Sequence, residues 1–140
     1  MNEEERRVIV DQEMVKALKF LTDAEELARL EMWNVVANRA YYALYHAVMA
    51  MMVNDGFLPK THSGLITEFG REYVITGKID PKYSKVLSQM RSIRENCDTS
   101  LRKGKISRRM WTKCSSKGKA NWTESSTTCT PPCLRIARTI

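Results

Sequence analysis

"NRAYYALYHAVMAMM", residues 38–52, is the stretch whose reading decides the fold. It carries no strand-like alternation and no turn residues. Its apolar and Ala positions run around nearly the whole helical circumference, as expected of a central helix packed on several sides. The spacing predicts a helix over about 35–54, in which Ala37, Ala40, Ala43, Ala47 and Ala50 let neighbours pack close. After Asn38, only Arg39 and His46 interrupt the apolar run, together with the hydroxyls of Tyr41, Tyr42 and Tyr45. The question is whether that basic pair catalyses or stitches helices together.

Working outward, residues from about Glu13 to Glu31 repeat Met14, Ala17, Leu18, Leu21, Ala24 and Ala28 at helical spacing, and Asn34 is the expected cap of the next helix. "NDGFLPKT" closes that helix with turn residues. Thr61 or Ser63 caps a third helix with Leu65, Ile66, Phe69, Tyr73 and Val74 on one face, ended by Gly77. Asp80-Pro81 starts a fourth, striped by Tyr83, Val86, Leu87, Met90, Ile93 and Cys97. Short connections between such helices predict an all-α, up-and-down bundle of four.

With 140 residues the chain has the size of one domain. No apolar run is long enough to span a membrane, and the charged start "MNEEERRVIV" has no apolar signal region. The expected compartment is cytoplasmic, with the four cysteines reduced. The net charge of +7 is unevenly placed: residues 1–98 sum to −2 and residues 99–140 to +9. The bundle is therefore expected to occupy residues 1–98. Residues 99–140 form a basic tail with 13 Ser/Thr in 42 residues and no sustained stripe. Two readings of the tail stay open: a disordered arm that binds nucleic acid or acidic partners, or a segment translated out of frame.

The spacing of Arg39 and His46 puts both on one stripe with Tyr42, two helical turns apart. Their types suit phosphate chemistry, yet an apolar helix favours polar groups that pair with neighbouring helices or across a dimer interface. The expected role of Arg39, Tyr42 and His46 is structural. No cofactor is implied. "GREYVITGK" misses the phosphate-loop spacing, and Cys114, Cys129 and Cys133 lack a paired frame for zinc.

"ANRAYYALYHAVMAMM", followed by "KTHSGLITEFGREYVITGKIDPKYSKVLSQMRSIRENCD", resembles the HEPN family of small all-α prokaryotic domains. The similarity is to the branch with an A-x-R-A-Y-Y-A-x-(F/Y)-H-A helix, then K-T-H-S-G, a Phe-Gly pair, a T-G turn and an R-x-x-x-D-Y close. It covers about residues 13–98. The resemblance implies a bundle of four or five helices that commonly dimerises, often beside a minimal nucleotidyltransferase as one half of a toxin–antitoxin pair. Ribonuclease members carry R-x4-6-H late in the bundle. Here Arg94 matches that Arg, but no His follows it, and Thr99 stands where the branch has Tyr. The resemblance therefore implies an accessory or toxin-type protein that binds nucleotide, nucleic acid or protein without catalysis of its own.

Arg91, Arg94 and Asp98, with Lys60 and His62 at the start of the third helix, are the candidate nucleotide or RNA contacts. A plain ion pair between Arg94 and Asp98 is the competing expectation for those two. The ribonuclease alternative would use Arg94 and Asp98 with a basic group from a partner subunit. A third alternative gives nucleic-acid binding to the basic tail.

Overall fold

The computed structural model describes the backbone of residues 1–100 and the side chains of residues 1–96. The tail expectations for residues 99–140, and those for the side chains of Cys97 and Asp98, lie outside the described residues. Within them the protein is all-helical: α1 (Glu3–Arg29), α2 (Trp33–Asn54), α3 (His62–Phe69) and α4 (Pro81–Ser100). A π-helical turn, Gly70–Val74, continues α3. No helix among the described residues is long and apolar enough to cross a membrane.

The first helix starts ten residues earlier than periodicity suggested, because a reciprocal cap fixes its beginning. The Asn2 side chain accepts from the Glu5 amide at 2.7 Å, and the Glu5 carboxylate accepts from the Asn2 amide at 2.9 Å. Glu3, Glu4 and Glu5 in the first turn and Arg29 in the last complement the helix dipole. The buried face also differs from expectation: Glu13, Ala17, Leu21, Ala24 and Ala28 point inward, while Met14 and Leu18 are exposed.

A tight turn through Glu31, whose φ is 57°, sends the chain back antiparallel into α2. The residue preceding α2 is Met32 and makes no side-chain cap. Asn34 lies inside the helix, so the expected Asn34 cap is not formed. Val36, Ala37, Tyr41, Met52 and Val53 of α2 are fully buried, as its all-round apolar pattern requires. Gly56, at φ 90°, supplies the left-handed turn after α2.

Thr61 caps α3, accepting from the Gly64 amide at 2.9 Å. A Cβ on residue 64 would itself meet that hydroxyl at 2.9 Å, so glycine is what allows the cap to close. Thr61→Ala is expected to lower stability by about 1 kcal/mol. Urea unfolding that leaves the midpoint unchanged would show that the cap contributes nothing.

The π turn is marked by the Ile75 amide reaching the Gly70 carbonyl at 3.0 Å, and Gly77, at φ 76°, ends it. Asp80 then accepts from the Lys82 amide at 2.9 Å, with Pro81 as first residue of α4. Leu65 and Phe69 of α3, Tyr73 of the π turn and Leu87 and Met90 of α4 close the core against α2.

Candidate functional site

The polar side chains embedded in this core fall into two linked layers. The first joins α1 to α2. His46 Nδ1 meets Glu13 Oε2 at 2.6 Å, and the other Glu13 oxygen accepts from Lys16 Nζ at 2.6 Å. Burial alone would raise the Glu13 carboxyl, but the bonds from Lys16 and His46 outweigh it and hold the group below the usual carboxylate range. An ionised Glu13 accepts, so the His46 Nδ1–H donates. The imidazole stacks on Phe20 with ring centroids 5.4 Å apart and planes 3° from parallel. The Arg39 guanidinium covers the same Phe20 ring at 5.3 Å. Arg39 and His46 thus rest on one aromatic ring of α1, with Tyr42 packed on both Phe20 and His46.

The second layer gathers α2, α3 and α4. The Tyr41 hydroxyl and His62 Nδ1 lie 2.8 Å apart. Burial pushes the Tyr41 hydroxyl up to about 12, against the opposing pull of Arg94 and Arg91, so it keeps its proton and meets His62 as a neutral partner. Burial, then the nearby Arg94 and Arg91 charges, hold His62 below the ordinary imidazole value. Tyr45 stacks on His62 at 4.3 Å.

Arg94 does not spend its described contacts on an ion pair within α4. Its Nη1 donates to the Tyr42 hydroxyl at 2.9 Å, and its guanidinium lies over Tyr41 at 5.1 Å and Tyr42 at 5.6 Å. Among the described residues its buried Nε has no hydrogen-bond partner. Arg91 donates to the Ser63 hydroxyl at 2.9 Å and to Glu95 at 2.9 Å, which ties α4 to the start of α3. Lys60 is exposed just before the Thr61 cap.

The sequence candidates thus separate. His62, Arg91 and Arg94 come together around Tyr41 and Tyr42, whereas Arg39 and His46 belong to the α1–α2 layer; the side chain of Asp98 lies outside the described residues. Sequence reasoning missed Glu13, Phe20, Tyr41, Tyr45 and Ser63. Glu13 was readable: it stands four residues before Ala17 and eight before Leu21, a carboxylate in phase with the apolar stripe. No signal in the sequence marked Ser63 as an Arg91 partner.

Three polar or cationic groups that meet around the buried Tyr41 and the partly buried Tyr42 are of types that can hold a phosphate. No group of His, Cys, Asp and Glu among the described residues could hold a metal ion. The arrangement is a cluster of two arginines and a histidine set on the tyrosines of an all-α bundle.

The HEPN domain family model matches residues 12–114, and the chain belongs to the HEPN family. That match runs past Asp98 into the basic segment. A UPF0332 protein of Thermotoga maritima is 35% identical over 98 residues, 70% of this chain and 73% of its own. Two Methanocaldococcus jannaschii proteins, each named a "Putative toxin", are 28% and 30% identical over 59% and 56% of this chain. This chain spans little more than half the length of those two, 56% and 58%. No solved structure matches the chain significantly.

Proposed function

We propose that this chain is a toxin-type HEPN protein that acts beside a minimal nucleotidyltransferase and binds the phosphates of RNA or nucleotide through Arg91, Arg94 and His62. The observation that carries the reading is the convergence of these side chains on Tyr41 and Tyr42, with the buried Arg94 Nε finding no acceptor among the described residues. A buried donor without an acceptor is costly, and a phosphate oxygen is the acceptor a guanidinium fits best. His62, held below the ordinary imidazole value by burial and by Arg94 and Arg91, adds a polar ring to the same cluster. The names of the two Methanocaldococcus jannaschii relatives support the toxin class.

The test is fluorescence anisotropy of the full chain with labelled single-stranded RNA at fixed salt. Arg94→Ala is expected to weaken binding at least tenfold, with a smaller effect from His62→Asn. The affinity of the parent protein falls as salt rises, because phosphate contacts release counterions. Equal affinity for the parent and Arg94→Ala overturns the reading.

A second reading, ribonuclease action, draws on the same juxtaposition of His62 and Arg94, two types suited to phosphoryl chemistry. It would show itself as RNA fragments ending in 2′,3′-cyclic phosphate, lost in Arg94→Ala. Intact RNA after prolonged incubation with micromolar protein excludes it.

A further inference from the structure

The cluster of Arg91, Arg94 and His62 has a charge balance that bears on which kind of phosphate it fits. Arg91 already has a counter-charge in Glu95, with Nε and Oε1 2.9 Å apart. Arg94 makes no ion pair among the described residues, and its hydrogen bond goes to the Tyr42 hydroxyl. The His62 ring bonds only to Tyr41 among them and touches no carboxylate. Around that ring stand Arg91 and Arg94 of α4 and the titratable Tyr41, Tyr42, Tyr45 and His46 of α2. From α1 comes Glu13, which is bonded to His46 and lies beyond it. Burial first, and then the two arginines, hold the His62 imidazole below its ordinary value.

The buried donor also favours a chain end. Arg94 Nε finds no acceptor among the described residues. An internal phosphodiester has two free oxygens and carries chain on both sides. A terminal phosphate has three and carries chain on one side only, so its tip can reach a buried donor.

Resting on the reading that these three side chains hold a phosphate, we propose that this phosphate is terminal, a monoester on an RNA end or a nucleotide and not an internal diester. A monoester is a dianion above its second pKa of about 6. Arg94 meets one of the two charges. The other is met when His62 takes up a proton, because the imidazolium has a donor on each nitrogen. Nδ1–H then donates to the Tyr41 oxygen across the observed 2.8 Å, and Nε2–H donates to the phosphate. A diester has a single negative charge, which Arg94 meets alone, and it gives His62 far less cause to change state.

The test is fluorescence anisotropy of the full chain with one short single-stranded RNA, dye-labelled on an internal base. The strand carries a 5′-phosphate, a 3′-phosphate or hydroxyls at both ends. A terminal phosphate at one end or the other is expected to tighten binding about tenfold, the effect of one added charge-assisted hydrogen bond. AMP is expected to displace the strand, and adenosine is not. AMP as effective as the phosphorylated strand marks a nucleotide as the ligand, and weaker AMP marks a strand end.

Titration calorimetry near neutral pH, in two buffers of different ionisation enthalpy, should show proton uptake by the parent and none by His62→Asn. That variant should also lose most of the preference for a phosphorylated end, with circular dichroism verifying its helices. Equal binding of the three strands overturns the proposal, and so does a preference that His62→Asn leaves intact. If the three strands bind equally and Arg94→Ala weakens all of them, the phosphate site stands and only its choice of a terminal phosphate fails. If Arg94→Ala weakens none, the site itself fails.

Discussion

Phe69→Ala is expected to lower unfolding stability by about 3–5 kcal/mol, the range for removing a large aromatic from a closed core. Phe69 is the last residue of α3, fully buried, and stacks on Tyr73 with ring centroids 5.6 Å apart. It stands where the α-helix becomes a π turn, so its ring anchors both α3 and the turn that follows. Truncation leaves a void that α2 and α4 cannot collapse into without moving the α3 helix that carries His62. A loss of that size is a large part of the total stability of an ordinary domain, about 5–15 kcal/mol. Ile75→Ala, in the same connection but 82% exposed, is expected to change stability by less than about 0.5 kcal/mol. Urea unfolding of the two variants gives the comparison, and a Phe69→Ala midpoint close to that of Ile75→Ala would mean that α3 is not anchored through this ring.

The helices were legible because α2 states its environment in its own composition. An element that is apolar on all sides can only be a core element, and the capping and turn chemistry around it is local. Thr61, Gly77 and Asp80-Pro81 act within a few residues of the positions where their side chains or backbone angles are needed. The start of α1 was missed because hydrophobic spacing was weighed above chemistry: Asn2 and Glu5 spell a capping box ahead of any apolar repeat. Asn34 misled for the opposite reason, since Glu31 adopts a left-handed turn that lets Met32 begin α2 without a side-chain cap.

The site was less legible than the fold because its contacts span distant parts of the chain. Arg94 reaches Tyr42 and Arg91 reaches Ser63, and nothing periodic connects those numbers. An i, i+4 pairing rule finds Arg91 with Glu95 but cannot find a tyrosine hydroxyl on another helix. Residue types alone therefore named Arg91, Arg94 and His62 as candidates. Packing of α4 and α3 on α2 is what assembled them, with Tyr41 and Tyr42 as the floor. The same packing separates them from Arg39 and His46, whose closeness in sequence had made them the more conspicuous pair.

That α1–α2 pair yields the second large effect. Glu13→Ala is expected to cost about 2–3 kcal/mol, because it strands the His46 Nδ1–H where the side chain is only 15% exposed. Full burial would raise the figure, but both side chains keep some contact with water. Glu13→Gln retains an oxygen that can accept and should cost less than half as much. Replacing both partners together, Glu13→Leu/His46→Leu, removes the stranded donor as well, so its cost falls well short of the sum of the single changes. The pH dependence has a definite sign. The folded carboxyl of Glu13 titrates below its ordinary value of 4.5, so the pair's contribution is present in full above that value. It is lost as pH falls through the lower, folded value. Urea midpoints of the parent should therefore drop more steeply on acidification below about pH 5 than those of Glu13→Gln, which has no proton to gain. Parallel curves for the two proteins across that window would show that the Glu13–His46 contact contributes no net stability.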